Sequence, residues 1–204
     1  MKLAADPAAW TAAGFTVTGH AMAVGGVTVQ FTAPVGGIEG LGFDHLPEGT
    51  TDIDGLPVEL FSLEVDPQHP NGAVSVDQVV IATPDFDRTA TAMASVGLGL
   101  TREAYRQNDD GHDVRQGFVR SGEAVLELVH TDTVPGTHAH GWGLGFITAD
   151  LDKAIAELDG LIGPARPAIQ PDRRIATFRR DANLGAPVVL MDPEPEDRGG
   201  YPAD

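Results

Sequence analysis

Glu127 is the side chain of this sequence best placed to move a proton. It lies in the run Glu123 to Val129, where strand alternation groups it with Glu123, Val125 and Val129 and turns Ala124, Leu126 and Leu128 to the other face. On a concave, partly apolar face, desolvation makes such a carboxylate a usable acid or base; on an open face it meets water or an arginine. Phe118 and Trp142, both on predicted strands, could wall a ligand or fill a core. Arg166, Arg173, Arg174, Arg179 and Arg180 crowd one stretch of a chain whose only lysines are Lys2 and Lys153. They either frame an anionic small molecule or form a solvated strand edge.

Histidines offer a second kind of chemistry. His138 and His140 alternate just before a predicted strand and His130 ends another. A spacing of i and i+2 puts the first two on one strand face, which suits a metal as well as it suits exposed loop histidines. Asp109, Asp110, His112 and Asp113 form an acidic cluster without the spacing or terminal glutamate of a calcium loop, and read as a solvated hairpin loop or lid. No nucleophile elbow, P-loop or dinucleotide fingerprint is present, because the GLGL at Gly97 follows a helix and stops it. The chain has no cysteine, which removes disulfides, thiolate nucleophiles and cysteine metal ligands.

The elements that must position these groups are written as a repeat. VDQVVIATPDFD (Val76 to Asp87) returns as GWGLGFITADLD (Gly141 to Asp152), and a shift of 65 residues places Asp85 on Asp150, Asp87 on Asp152 and Met93 on Leu158. Each copy is an apolar strand that runs into a helix capped by Asp85 or Asp87 and its counterpart. Behind the first helix, Leu100 to Arg106, Arg115 to Arg120 and Glu123 to Val129 read as strands, the last two joined across Ser121-Gly122. Behind the second, Ala165 to Gln170, Arg174 to Arg179 and Ala186 to Met191 do the same. Both units read β-α-β-β-β, over 76–131 and 141–192.

Upstream, Asp6 and Pro7 open a short helix that Gly14 ends, and Gly25-Gly26 joins two extended runs, Phe15 to Val24 and Val27 to Phe31. Further strands are expected at Gly36 to Phe43 and across Leu56 to Val65. The Pro- and Gly-containing stretch around Asp66 to Gly72 marks a linker, taken as 66–75, and 193–204 a flexible tail. With 42% hydrophobic residues the chain can bury its own core. A formal charge of −17 opposes nucleic acid and anionic membranes. Without a long apolar run or a leader at its start, the expectation is a cytoplasmic protein.

Paired β-α-β-β-β units opened by VVIATPDFD and GWGLGFITADLD, with the closing strand EAVLELV, resemble the glyoxalase and bleomycin-resistance group, the vicinal oxygen chelate superfamily. AAWTAAGF with the Gly25-Gly26 hairpin, and GLPVEL beside GAPVVL, make 1–65 look like a degenerate segment of the same kind. The resemblance implies an α+β fold of tandem modules forming a curved mixed sheet with helices outside. It also implies a divalent metal held from the first and last strand of each module. On those four positions this chain carries Gln78, Glu127, Gly143 and Leu190, and an amide with one carboxylate is a poor divalent site.

The expected function is therefore binding of a small organic molecule between the modules, with no cofactor and no family metal. Glu127 is the candidate acid or base, and Gln78, Phe118, Glu127, Trp142, Gly143 and Arg179 are the candidate ligand contacts. The alternatives are a metal-dependent lyase or dioxygenase with displaced ligands such as His138 or His140, and a non-catalytic structural or interaction protein. A homodimer is compatible with the family, whose modules often complete one another across a dimer.

Overall fold

The computed structural model describes residues 1–60, 68–108, 110–122 and 124–195. The second part of the chain forms one eight-stranded sheet. Its first module is β7 (Ala73–Ala82), α2 (Phe86–Ser95), β8 (Arg102–Gln107), β9 (Asp113–Ser121) and β10 (Ala124–His130). Its second is β11 (His140–Thr148), α3 (Leu151–Glu157), β12 (Arg166–Pro167), β13 (Arg174–Thr177) and β14 (Val188–Met191). Both are β-α-β-β-β, and the fold is α+β with curled mixed sheets. The strand order is β12-β13-β14-β11-β7-β10-β9-β8, so the opening strands of the repeat lie side by side and antiparallel at the centre.

The repeated aspartates act as the sequence demands: the Asp85 side chain accepts from the Arg88 amide at 3.1 Å and the Asp150 side chain from the Lys153 amide at 3.0 Å, each satisfying one otherwise orphaned donor of a first helical turn. The opening strand β7 begins at Ala73, so the last residues of the stretch read as linker are already strand.

The first part of the chain builds β1 (Lys2–Ala5), α1 (Pro7–Ala12), β2 (Ala21–Val24), β3 (Val27–Phe31), β4 (Val35–Phe43), β5 (Asp52–Ile53) and β6 (Leu56–Leu60). The extended run expected from Phe15 is strand only from Ala21. The far end of the Leu56 to Val65 run lies outside the described residues, as does the tail beyond residue 195. Strand order is β2-β3-β1-β4-β6-β5. This is the order of the larger sheet with its outer strands β8 and β12 and its second helix removed, and every pairing keeps its sense. β1–β3 and β4–β6 are parallel, whereas β1–β4, β2–β3 and β5–β6 are antiparallel.

The two sheets share a core. The face of the larger sheet that carries Leu144 and Phe146 turns to the N-terminal sheet, where Trp10, Phe15 and Phe146 stack with ring centroids 5.0–6.0 Å apart. Gly141 sets the approach: a Cβ there would come within 2.4 Å of Ile38 on β4. Only glycine lets the strands come so close.

A polar clamp ties the same two parts together. Asp54, at φ 51° in the β5–β6 turn, accepts from Arg88 Nε at 2.6 Å and Nη2 at 3.0 Å and from the Thr89 hydroxyl. Burial alone would raise the Asp54 carboxyl, but these hydrogen bonds and the charge of Arg88 hold it below its ordinary range. A carboxyl lowered on folding stabilises the fold above its unfolded pKa, and that stability is lost as pH falls. Asp54→Asn is therefore expected to cost about 1 kcal/mol at neutral pH, discounted for the half-exposed Arg88. In urea titrations the difference should fade below about pH 4.

Candidate functional site

Register across the larger sheet decides which side chains meet. Arg102 on β8 pairs with Phe118 on β9, Phe118 with Glu127 on β10, Glu127 with Val80 on β7, and Val80 with Gly143 on β11. Paired residues point to one side of a sheet, so this row crosses the face opposite Phe146. A neighbouring row runs Val125, Gln78, Gly145 and Val189. Gly145 makes room for its partner, since a Cβ there would stand 3.0 Å from Gln78 Cγ. Leu126 and Leu128 turn the other way into the core.

Glu127 is 7% exposed and Gln116 6%. Gln116 Oε1 accepts from Arg106 Nε at 3.1 Å, which leaves its amide nitrogen to donate to Glu127 Oε1. The arginine thus fixes the orientation of the amide, and the amide fixes the carboxylate. Glu127 Oε2 has no partner among the described residues. Burial pushes the Glu127 carboxyl above the usual range; the Gln116 bond and the charge of Arg106 oppose this, and Asp77 adds to it.

Above these groups the sheet curls around a cavity of about 830 Å³, the size of a small-ligand pocket. Gln78, Gln116, Phe118 and Glu127 form its floor. One wall is the edge strand β8 with Arg102 and Arg106, and the other is β12 and the loop behind it with Arg166, Ile169 and Arg173. Both walls and the floor come from a single chain.

A family profile described as the Glyoxalase/Bleomycin resistance protein/Dioxygenase superfamily matches residues 77–176. This chain belongs to that superfamily. Among solved structures, methylmalonyl-CoA epimerase from Mycobacterium tuberculosis is similar over 61% of this chain and 91% of its own, at 20% identity and a TM-score of 0.50. A mutant of 4-hydroxymandelate synthase from Streptomyces coelicolor is similar over 98% of this chain and 92% of its own, at 13% identity and a TM-score of 0.65. At such identities the likeness is one of fold. No curated protein matches the chain.

The superfamily's four metal positions can now be placed. Gln78 and Glu127 do face the cavity. The expected last-strand position, Leu190, does not: it pairs with Phe146 and is fully buried in the core. Its neighbour Val189 pairs with Gly145 and holds the position symmetric to Glu127. β14 thus stands one residue out of step with the expected register, which exchanges its two faces. The position facing Gln78 is nonetheless an aliphatic one. The four residues are then an amide, one carboxylate, a glycine and a valine, which do not fit a divalent ion. No group of three His, Cys, Asp or Glu side chains among the described residues is placed to hold one either.

The remaining expected contacts scatter. Trp142 is the extra residue of a bulge between Gly141 and Gly143 and is 52% exposed; it does not line the cavity. Gly143 looks onto the Pro187 carbonyl 3.1 Å from where its Cβ would stand, so the neighbouring strand fills the space that a side chain would take. Arg179 is exposed, and its amide bonds the Leu161 carbonyl at the start of the 3-10 turn. The histidines are separated: His130 Nδ1 lies 2.9 Å from the Thr83 carbonyl, His138 stands against Gly55, and His140 pairs with Ala82.

Sequence reasoning missed Arg102, Arg106 and Gln116. Alternation on β8 and β9 puts Arg102 with Arg106, and Gln116 with Phe118, on shared faces. What the sequence lacks is the curl that brings edge strand β8 over the floor.

Proposed function

We propose that this superfamily member binds a small organic molecule in the cavity between its paired modules, without the family's divalent metal, and that Glu127 exchanges a proton with it. The observation that carries the reading is a buried carboxylate on the floor of a roomy cavity, oriented through one oxygen by Gln116, with its other oxygen unpartnered among the described residues. In that setting the raised carboxyl serves to give or take a proton. Arg106 and Gln116 hold it, Phe118 adds an apolar ring to the floor, and Gln78 offers an amide to a polar group of the ligand. The same reading places the protein in the cytoplasm, away from nucleic acid and membranes. It is supported by the acidic charge and by the lack, among the described residues, of a helix long and apolar enough to cross a membrane. A homodimer is compatible with it.

The test is elemental analysis of protein purified without chelator or tag metal, followed by titration with Ni²⁺, Zn²⁺, Mn²⁺ and Fe²⁺. No saturable uptake is expected. Stoichiometric uptake that Glu127→Ala abolishes would overturn the reading in favour of a metal-dependent lyase or dioxygenase.

Glu127→Gln gives a second check. A carboxyl raised on folding contributes most stability below its unfolded pKa, and that contribution is lost as pH rises through the folded value. The variant should therefore melt about 2–4 °C higher than the parent at pH 8, the shift expected of ~1 kcal/mol in a chain of this size. The gap should close toward pH 4 in differential scanning calorimetry.

A further inference from the structure

We infer that the ligand is an amphipathic organic anion, its oxyanion group held by the arginines that converge on the cavity and its body resting on apolar wall. This rests on the cavity-binding reading above and names the class of molecule it concerns. Acidic residues outnumber basic ones 30 to 13 in this chain, yet Arg102, Arg106, Arg166 and Arg173 all line one cavity, against two carboxylates, Glu127 and Glu194. Outside the cavity Arg88, Arg115 and Arg174 are each paired with two aspartates or with an aspartate and a glutamate.

Within the cavity Arg173 is paired with Asp77, but Arg106 and Arg166 are not held by carboxylates among the described residues. Arg106 bonds the neutral amide of Gln116 and has no carboxylate within ion-pair distance among the described residues. Arg166 has no side-chain partner among them. Arg102 lies over the Phe118 ring at 4.4 Å, which keeps its guanidinium beside the floor. These side chains come from the two opposite edge strands of the sheet, so curling brings positive charge together from both modules. Arg106 and Arg166, facing a concave, partly apolar site, attract and bind an oxyanion in fork geometry. The apolar share of the lining, with Phe118, Ile169, Ile175 and Met191, requires more than a bare inorganic ion. Ile169 is 72% exposed and stands where a ligand's apolar body would cover it.

Four matched probes test this by isothermal titration and by amide chemical-shift mapping of the labelled full chain: phenylacetate, phenyl phosphate, phenylacetamide and phenethylammonium. The expected result is that either anion, or both, binds with shifts at Gln78, Gln116 and Phe118. The amide and the ammonium should bind at least about tenfold more weakly, and anion affinity should fall as salt is raised. The order of phenylacetate and phenyl phosphate then tells a carboxylate ligand from a phosphate one. In the double variant Arg106→Gln/Arg166→Gln the preference for anion over amide should disappear, and Arg106→Lys/Arg166→Lys should keep most of it. Binding of phenylacetamide as tight as that of both anions overturns the anion inference and leaves the cavity reading standing. So does an anion preference that survives the double glutamine variant with its melting temperature intact. Failure of all four probes to shift cavity residues overturns the cavity reading itself.

Discussion

Asp77→Ala is expected to destabilise the fold by about 3–5 kcal/mol, the range for stripping one partner from a buried ion pair. Asp77 sits in a bulge of β7, between Val76 paired to Phe146 and Gln78 paired to Gly145. Its Oδ1 accepts from Arg173 Nη2 at 3.0 Å, with the two side chains only 9% and 2% exposed. Arg173 Nε donates to the Asp192 carbonyl at 2.9 Å, which fastens the closing strand to the centre of the sheet. Asp77 Oδ2 and Arg173 Nη1 find no hydrogen-bond partner among the described residues, so the pair is incompletely compensated even in the parent protein. Alanine would leave a buried guanidinium without its counter-charge, whereas Asp77→Leu with Arg173→Met removes both charges together. That double variant should fall within about 2 kcal/mol of the parent in urea unfolding. A double loss equal to the sum of the single losses would mean that packing, and not the unpaired charge, sets the cost.

Trp10→Ala should cost a similar amount, about 3–5 kcal/mol, by leaving a cavity that the surroundings fill only in part. Trp10 is fully buried, with rings of Phe15, Phe31 and Phe146 at 5.0, 5.8 and 6.0 Å. Its indole N–H donates to the Leu184 carbonyl at 3.1 Å across 174 residues of sequence. One side chain thus bonds the N-terminal helix to the loop before the last strand. Loss of that contact should separate the unfolding of the two sheets, which the shared core otherwise makes a single transition. Trp142, half-exposed and the only other tryptophan, reports on the larger sheet by fluorescence. Circular dichroism reports on both sheets together. Coincident transitions in the parent and divergent ones in Trp10→Ala are the expected outcome. Coincidence in both would mean that Gly141 against Ile38 and the Asp54 clamp suffice to join the halves.

Local chemistry made much of this protein legible from its residues. The two Asp-x-Asp helix starts, the Gly25-Gly26 turn and the β-α-β-β-β order depend on neighbours in sequence: a cap needs a donor three residues on, and a tight turn needs a residue that accepts positive φ. Alternation likewise separated Glu127 from Leu126 and Leu128, because pleating has a fixed period. Residues also showed two of the family's four ligand positions to lack a donor atom, since neither Gly143 nor Leu190 or its neighbour Val189 carries one in either register.

Only the tertiary structure decided which residues meet. The order that sets β7 against β11, and the curl that carries β8 and β12 over the floor, are fixed by contacts across the sheet and not by short-range preference. Arg106, Gln116 and Glu127 are therefore joined only after folding. Bulges and loop offsets are equally silent in sequence, and each shifts a face by one residue. That is why Trp142 leaves the cavity, and why Val189, not Leu190, stands opposite Gln78. The N-terminal sheet shows the same division: its hairpin turn is local, but its assembly depended on Trp10 and Phe146, residues far apart in sequence whose packing no local pattern encodes.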